Sequence, residues 1–357
     1  MSALSGGVFD ASTDDEFTEL RRLVDDIGKR SFDARQGRRT VPDEFDADLW
    51  QTLSDTGLTR LTSDPDLDAG PAELAVVLHG IARYAGSVPL AETDALAAWL
   101  ATTAGIEAPD GPLTVAIADA EPRDGRLTGT ADDVPWTRAA AAILLLARGA
   151  DAVRVGMLSG DSVEIADGHN LAGEPRDRVS FEVDASALTD VDPAVAAELS
   201  VRGSWCRCMQ MMGALDAAAT MTVSHTGSRE QFGRPLSKFQ AVQHSLAAMA
   251  GEIERARAAA SLAVAAAADY GFAAPQTSYA VTVARVAVGR AVIPVTTIAH
   301  QLHGAIGVTA EHPLWTVTTR AQSWATDFGS TVGHARRLGR MALAADDPWD
   351  LVVGLAE

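Results

Sequence analysis

The 357-residue sequence predicts an α+β protein with a helical N-terminal domain, a small middle β domain and a C-terminal four-helix bundle. Three observations support this prediction. Apolar residues recur at helical spacing over the first hundred residues, short runs rich in Val, Ile and Leu follow, and the helical spacing then returns until the C-terminus. We place the domains at residues 1–110, 111–195 and 196–357.

The N-terminal domain contains four helical stretches. FTELRRLVDDIGKR places Phe17, Leu20, Leu23, Val24 and Ile27 on one face, and DEFDADLWQTLSDTGLTRL repeats this spacing up to Gly57. AGPAELAVVLHGIARYAGSVPL and DALAAWLATTAG follow, separated by a Gly-Ser-Val-Pro break. These patterns predict four helices over the first hundred residues.

The middle domain consists of short apolar runs. They are PLTVAIAD, AAILLLAR, DAVRVGML, SVEIAD and RVSFEVD, and clusters of Gly, Asp, Asn and Pro divide them. Such runs are typical of strands because β-branched side chains pack well on a pleated surface. The pattern predicts a small antiparallel sheet or barrel.

The C-terminal domain contains four long helical stretches. The second stretch is expected to end at Gly271, and Pro294 is expected to kink the third. The four stretches are SWCRCMQMMGALDAAATMTVSH, QAVQHSLAAMAGEIERARAAASLAVAAAADYG, TSYAVTVARVAVGRAVIPVTTIAHQLHG and AQSWATDFGSTVGHARRLGRMALAA. Four consecutive helices of this length predict a bundle.

The formal net charge of -19 bears on the partners of the protein. An acidic surface repels phosphate backbones and anionic lipids, so we expect neither nucleic acid nor membrane as a partner. No apolar run approaches the roughly 20 residues of a spanning helix, and the start MSALSGGVFDASTDDEF lacks the basic and apolar regions of a signal peptide. The expected location is cytoplasmic.

Cysteines and histidines give no metal-binding pattern. Cys206 and Cys208 stand two apart in a predicted helix, where their side chains diverge and cannot form a normal disulfide, so we expect both to be buried. His300 and His303 lie on one helix face, but no carboxylate pair or second Cys or His pair stands at ligand spacing. Packing or hydrogen bonding is the expected role of these histidines, and no metal site is predicted.

Two C-terminal motifs resemble those of the acyl-CoA dehydrogenase family. SREQFGRPLSKFQAVQH, from Ser228 to His244, is similar to the family's R-x-Q-F-G motif with a downstream F-Q. QLHGAIGVTAEHP is similar to its Q-x-x-G-G-x-G motif, with Ala305 at the second Gly. The N-terminal LWQTLSDTGLTRL also resembles a recurrent helix of the family, so the likeness extends over nearly the whole chain.

The resemblance implies FAD as cofactor and a shared binding site. In the family, the flavin ring and the acyl thioester lie between the β domain and the bundle of one subunit, while the ADP half of FAD reaches a neighbouring subunit. The guanidinium of an arginine donates hydrogen bonds to pyrophosphate oxygens, and an aromatic ring packs beside the adenosine. A glycine allows the backbone to approach a phosphate closely. The positions that match the ADP-contacting motifs are Arg229, Gln231, Phe232, Gln301, Gly304 and Ala305.

The position of the family's catalytic base lacks a carboxylate. The family removes the proton α to the thioester carbonyl with a Glu near the C-terminus, while the flavin takes a hydride from the β carbon. Ungapped spacing from Gly307 places that Glu at Phe328, and the alternative position near Gly203 also lacks an Asp or Glu. The nearest carboxylate, Asp327, would be rotated by about 100° on a helix.

The middle domain also departs from the family. Its T-E-P-x-x-G-S-D loop falls near DAEPRDGRL, where Glu121 and Pro122 match but no Gly-Ser-Asp follows. The W-I-T strand that contacts flavin aligns with Asp133, Val134 and Pro135. An acidic side chain and a proline without an N–H suit reduced flavin poorly. The residues that would bind flavin and substrate within this chain are therefore changed, whereas those that serve a neighbour are retained.

This asymmetry resembles the smaller, non-catalytic subunits of heteromeric α2β2 acyl-CoA dehydrogenases in bacterial steroid side-chain degradation. The resemblance implies α,β-dehydrogenation of a CoA thioester in lipid metabolism. It also implies a homologous partner that supplies the catalytic Glu in a heterodimer or heterotetramer. A bulky acyl group is expected, because the loss of one pocket frees volume for it.

Two alternatives remain open at this point. One is a self-sufficient FAD enzyme of the same superfold with an altered substrate and with Asp327 or a substrate group as base. The other is a flavin-free structural or regulatory subunit that uses the bundle for association alone. Flavin content and turnover of the isolated chain distinguish the two.

Overall fold

The computed structural model describes residue 9 and residues 16–37, 40–123, 125–159 and 163–353. Most of the N-terminal stretch in which we found no signal-peptide features lies outside these residues. The described chain runs from helices through one main sheet to a second set of helices. The predicted α+β fold class is therefore confirmed.

The helices before the sheet match the predicted stretches. They are α1 (Thr18–Arg35), α2 (Ala47–Asp55), α3 (Pro71–Arg83) and α4 (Trp99–Ala104), with a π-helical stretch at Glu92–Ala98. Local side chains fix two of the starts. Asp46 accepts a hydrogen bond from the backbone N–H of Leu49 at 3.0 Å, and Glu73 accepts one from Gly70 at 2.8 Å.

A seven-stranded sheet forms the middle of the chain. Its strands are β1 (Leu113–Arg123), β2 (Arg126–Pro135), β3 (Ala142–Arg148), β4 (Val153–Leu158), β5 (Val163–Ala166), β6 (Arg176–Asp184) and β7 (Thr189–Val191), and their order is β5-β6-β2-β1-β3-β4-β7. Alternate residues such as Leu127, Val179 and Phe181 point into one apolar core. Five of these strands include the predicted apolar runs.

The expectation of a wholly antiparallel sheet is wrong for one pair, since β1 and β3 run parallel. The hairpin of β1 and β2 reverses the chain direction, and the connection into β3 reverses it again. Because β3 pairs with the free edge of β1 and not with β2, the two strands must point the same way. Neighbouring strands in sequence more often pair with each other, which is the assumption behind the prediction.

The C-terminal helices form the predicted bundle, with one difference. They are α5 (Ala194–Ser228), α6 (Gln240–Tyr270), α7 (Pro275–His303), α8 (Leu314–Trp324), α9 (Thr331–Ala344) and α10 (Pro348–Val353). Helix α6 ends before Gly271 as predicted, with a positive φ at that glycine. The fourth predicted helix is wrong as a single element, because residues 325–330 break it between α8 and α9.

Small residues allow close helix packing in the bundle. Ala256, Ala260 and Ala263 of α6 are buried, and the indole N–H of Trp205 donates to the carbonyl oxygen of Ala263 at 3.2 Å. Gly213 of α5 faces the backbone of α3, where a Cβ atom would lie 2.1 Å from the carbonyl oxygen of His79. Cys206 and Cys208 are free and buried, as expected.

The described residues divide into two compact units. One comprises those within Met1–Arg39, Gly70–Gly86 and Ser204–Glu357, and the other comprises those within Thr40–Ala69 and Ser87–Gly203. Helices α1 and α3 therefore belong with the bundle, while α2 and α4 belong with the sheet. The three domains drawn in chain order, 1–110, 111–195 and 196–357, stay a prediction.

One described segment, Pro275–Val308, is long and apolar enough to cross a membrane by length and composition alone. This finding corrects the expectation that the chain has no such stretch. More than half of its most apolar window is buried inside the protein, and the segment carries the buried Arg285. A central bundle helix has these features.

Candidate functional site

The R-x-Q-F-G motif forms a small hairpin directly after α5. Two short strands, β8 (Glu230–Gln231) and β9 (Arg234–Pro235), pair across Phe232 and Gly233. Both turn residues have positive φ, +52° and +77°, as a two-residue hairpin of type I′ requires. The Leu236 N–H closes the hairpin by donating to the Arg229 carbonyl oxygen at 2.9 Å.

The side chains of this hairpin point to solvent. Phe232 is 91% exposed, and Arg229 and Gln231 are also exposed. In the described part of the chain, the Arg229 guanidinium forms no ion pair, although its charge contributes to the lowered pKa of His225 after the larger effect of burial. A guanidinium and an aromatic ring are therefore available to a ligand or to another chain.

The Q-x-x-G segment lies where α7 ends. Gly304 follows the last helical residue with φ of +66°, and its N–H donates to the carbonyl oxygen of His300. A 3₁₀ turn, Gly304–Val308, continues from it. Gln301, Gly304 and Ala305 are exposed, and Ala305 has no positive φ, so alanine at the family's second Gly position causes no backbone strain.

The two motifs lie close together in space. The His225 ring, one helical turn before Arg229, stacks on the His303 ring, which lies between Gln301 and Gly304, at a centroid distance of 4.4 Å. The structure therefore brings together the segments that carry all six predicted cofactor contacts. The contacts themselves stay a prediction.

The predicted base position lies in a turn, not on a helix. Asp327 and Phe328 belong to residues 325–330 between α8 and α9, and Phe328 has φ of +54°. The predicted helical rotation between Asp327 and Phe328 is therefore wrong, because neither residue lies on a helix. The direction of its side chain is instead set by the partner that it binds.

That partner is Arg207 on α5. Its Nε–H donates to Oδ2 of Asp327 at 2.8 Å, and its Nη1 donates to Gln210 at 2.6 Å. The Arg207 side chain is 2% exposed and the Asp327 side chain is 21% exposed. The Phe328 ring centroid lies 5.8 Å from the guanidinium carbon. A carboxylate held by a buried arginine is stabilised in its charged form and is a poorer proton acceptor than an unpaired one.

A second buried arginine holds the backbone of this turn. Arg285 of α7 donates to the carbonyl oxygens of Trp324, Ala325, Asp327 and Gly329 at 2.7 to 3.2 Å. These carbonyls lie at the C-terminus of α8 and in the turn after it, where backbone acceptors have no partner within the helix. The break between α8 and α9 is therefore fixed by a cationic cap.

His334 of α9 completes the support of the turn. Its Nε2 lies 3.1 Å from the Phe328 carbonyl oxygen, to which the neutral ring donates. Burial and the charges of Arg285 and Arg337 lower the pKa of His334 to about 4, against the weaker opposing effect of this hydrogen bond. The ring is therefore neutral at physiological pH.

The changed positions of the β domain have their own structural roles. Strands β1 and β2 leave only two residues between Arg123 and Arg126, so a tight hairpin stands where the T-E-P-x-x-G-S-D loop would be, and Asp124 lies outside the described residues. Glu121 is exposed. Asp133 is exposed with φ of +57° at a bulge in β2, and Val134 packs in the sheet core.

The sequence analysis missed Arg207 and the contacts that His303 makes with two other histidines. Arg207 stands alone among the apolar residues of WCRCMQMM, and a single charge in such a stretch signals a buried partner. His300, which we had considered together with His303, binds the Thr318 hydroxyl at 2.8 Å. His303 instead meets His225 and His312, which are 78 and nine residues away in sequence. No spacing rule links such distant residues.

Comparison with known proteins finds similarity to acyl-CoA dehydrogenases. Residues 195–343 match the protein-family model described as "Acyl-CoA dehydrogenase, C-terminal domain". Acyl-CoA dehydrogenase FadE27 of Mycobacterium tuberculosis is 26% identical over 374 aligned positions, which cover 93% of this chain and 98% of that protein.

Solved structures share the fold. The ChsE4-ChsE5 complex from Mycobacterium tuberculosis has a TM-score of 0.82 at 24% identity, covering 94% of this chain and 100% of the matched chain. A variant of the Tcur3481-Tcur3483 steroid ACAD has a TM-score of 0.79 at 25% identity. The match covers 92% of this chain and 98% of the matched chain. The predicted acyl-CoA dehydrogenase-like fold is confirmed, and residues 195–343 match the C-terminal domain of acyl-CoA dehydrogenases.

Proposed function

We propose that this chain is a subunit of a flavin-dependent acyl-CoA dehydrogenase whose catalytic Glu comes from a homologous partner chain. One observation carries the proposal. The residues that would receive the ADP half of FAD, above all Arg229 and the 91% exposed Phe232, extend to solvent, whereas the carboxylate nearest the base position is bound by Arg207. This distribution suits a chain that completes a neighbour's cofactor site.

The exposed residues fit the ADP half of FAD chemically. The flavin accepts the hydride in this family, and that chemistry would take place on the partner. On this chain, the Arg229 guanidinium would donate to pyrophosphate oxygens and Phe232 would pack beside the adenosine. Gly304 would let the backbone approach a phosphate, and Gln231, Gln301 and Ala305 would line the same surface.

The chain's own residues argue against a complete catalytic site of its own. A general base must reach its proton with a lone pair, and Phe328 offers none. Asp327 has a carboxylate, but a 2.8 Å hydrogen bond from Arg207 engages it. In β2, Asp133 points to solvent and Val134 points into the sheet core, so neither reproduces the family's W-I-T contact with flavin.

Partner and substrate are the finer parts of the proposal. The ChsE4-ChsE5 complex and the Tcur3481-Tcur3483 steroid ACAD are each named for two components, which supports a homologous second subunit for this chain. The second of these names includes the word steroid, which supports a steroid-type or other bulky acyl-CoA as substrate. We propose a heterodimer or an α2β2 heterotetramer in the cytoplasm.

The first test measures flavin content and mass. The chain is purified alone and after co-expression with acyl-CoA dehydrogenase-like chains encoded beside it, and the visible spectrum and native mass are recorded. We expect a colourless chain alone and a yellow complex with about one FAD per pair, because this chain supplies only the ADP-side contacts.

The other outcomes separate the alternatives. A chain that is yellow alone and turns over an acyl-CoA is a self-sufficient flavoenzyme. A colourless homo-oligomer that binds neither FAD nor any co-expressed homologue is a structural or regulatory protein. Either result contradicts the proposal.

The second test concerns Arg229 within the complex. Arg229→Ala should lower FAD retention on gel filtration, and Arg229→Lys should give an intermediate loss because it keeps the charge but not the fork of donors. Arg255→Ala removes another partly exposed arginine of the bundle and is the matched control. FAD content that stays unchanged in Arg229→Ala would count against the assigned contact.

A further inference from the structure

Three imidazole rings from separate segments meet in the described part of the chain. His225 lies in the last turn of α5, His303 is the last residue of α7, and His312 lies just before α8. One ligand nitrogen from each ring lies within 4.8 Å of the other two. The His303 ring centroid is 4.4 Å from that of His225 and 4.6 Å from that of His312.

The central ring is prepared to offer a lone pair. Nδ1 of His303 lies 2.8 Å from the carbonyl oxygen of Ala299, so the ring proton is on Nδ1 and Nε2 is unprotonated. Nε2 is buried without a hydrogen-bond partner, and the residue is only 5% exposed. A backbone carbonyl that holds the far nitrogen in this way is the usual support of a metal-binding histidine.

Burial favours the neutral form of all three rings. Burial lowers the pKa of His225, His303 and His312, and the neighbouring rings lower those of His225 and His312 further. Neutral imidazole is the form that binds a metal ion. An unpaired acceptor at His303 Nε2 is costly when buried, since buried polar atoms normally have partners.

The distances require a modest rearrangement. Around tetrahedral zinc with bonds of about 2.0 to 2.1 Å, two nitrogen ligands lie about 3.4 Å apart. The outer rings would therefore move inward by about 1 Å, and both His225 and His312 are only half-buried. His312 must also release the Leu314 N–H, which donates to its Nδ1 at 3.1 Å. It should therefore be the weakest of the three ligands.

We propose that His225, His303 and His312 form a binding site for a divalent transition-metal ion of the zinc class, with water in the fourth position. Three imidazoles favour zinc, nickel or copper over calcium or magnesium, which prefer oxygen ligands. The net charge of -19 attracts cations in general, whereas Arg229 opposes a cation at His225. The site does not depend on the proposed FAD contacts.

Metal binding is tested on the full chain, alone or in its complex, without added FAD. After treatment with EDTA and its removal, Zn²⁺ is titrated in competition with a chromophoric chelator. We expect one ion per chain. His303→Gln and His225→Gln should each weaken binding about 100-fold, and His312→Gln about 10-fold, within the range for disturbed metal sites. His244→Gln, an exposed residue of α6, should leave the affinity unchanged.

Two measurements keep the test independent of how the variants fold. Zn²⁺ should raise the thermal midpoint of the wild-type chain but not that of His303→Gln, because only the folded site binds the ion. X-ray absorption of the Zn²⁺-loaded wild-type protein should show three imidazole ligands. The proposal is overturned by the absence of stoichiometric binding, by an affinity that survives His303→Gln, or by a spectrum with no more than one imidazole.

The outcome is separable from that of the flavin proposal. Arg229→Ala removes no metal ligand, so it should maintain or strengthen Zn²⁺ binding even where it lowers FAD content. If the three histidines only stack as neutral rings, Zn²⁺ binding fails while FAD retention in the complex is unaffected.

Discussion

Arg207 Nε donates a hydrogen bond to Asp327 Oδ2 at 2.8 Å, and this contact connects the middle of the bundle to the turn between α8 and α9. The arginine is 2% exposed, so its charge needs a close partner. Asp327 supplies that partner, one residue before Phe328, which matches the position of the family's catalytic Glu. The contact therefore gives Asp327, the carboxylate next to the base position in sequence, a structural role.

Asp327→Asn should leave turnover of the assembled complex within about five-fold of wild type, whereas loss of a general base costs about 10²- to 10⁴-fold. Asn still accepts the Arg207 hydrogen bond but loses the charge, so the free energy of unfolding should fall by about 1–2 kcal/mol. Steady-state kinetics and urea unfolding check the two expectations. The exposed Asp269→Asn is the control. A loss of activity of 10² or more, without a loss of stability, would identify Asp327 as a base.

Phe232→Gly should lower FAD retention in the complex while slightly stabilising the isolated chain. The positive φ of this residue costs a non-glycine side chain about 1 kcal/mol, and Gly removes that cost at the expense of more freedom in the unfolded state. Leu343→Gly tests the same change at an 89% exposed apolar residue within α9, where it should destabilise by about 1 kcal/mol. Equal destabilisation by both variants in chemical denaturation would refute the argument from backbone strain.

His334→Gln should reduce the loss of the free energy of unfolding that occurs as the pH falls below 7. The folded pKa of about 4 lies below the unfolded value of 6.5, so the neutral ring stabilises the fold above pH 6.5 and that stability is lost as pH falls toward 4. Arg285 on α7, Arg337 on α9 and the Phe328 carbonyl are the groups that act on the ring. Between pH 7 and pH 5 the wild type should lose about 1–2 kcal/mol more than the variant.

Urea unfolding at the two pH values measures this difference. Gln is chosen because its side-chain amide keeps a donor for the Phe328 carbonyl oxygen. His244→Gln, on the exposed face of α6, should retain the wild-type slope. Identical slopes for wild type and His334→Gln would show that His334 is not held neutral by its surroundings.

Gly213→Ala should destabilise the fold by about 2 kcal/mol, because the new Cβ would meet the His79 backbone and the helices must separate. Gly251→Ala is the matched control in α6, where no atom lies within 4 Å of the new Cβ. That change should stabilise by about 0.5–1 kcal/mol through helix propensity. Thermal and urea unfolding measure the change in the free energy of unfolding for both variants. If Gly213→Ala leaves that free energy unchanged, α3 and α5 do not approach this closely.

Several features of the fold followed from local patterns. The apolar spacing of α1 and α6, the helix end before Gly271 and the Val-rich strands are encoded within a few residues, so they could be predicted. The parallel pairing of β1 with β3 could not, since it depends on which edge of β1 receives the third strand. The break at residues 325–330 depends on Arg285, which lies 40 or more residues away in sequence.

The sequence by itself determined the order of helices and strands, the R-x-Q-F-G and Q-x-x-G motifs, and the absence of a carboxylate at Phe328. These features depend on residue identity and spacing along the chain. Only the tertiary structure decided that Arg207 binds Asp327, that Phe232 is exposed, and that His303 meets His225 and His312. The physical reason is that ion pairing, burial and ligand geometry depend on distances between residues far apart in sequence, which packing of the bundle sets.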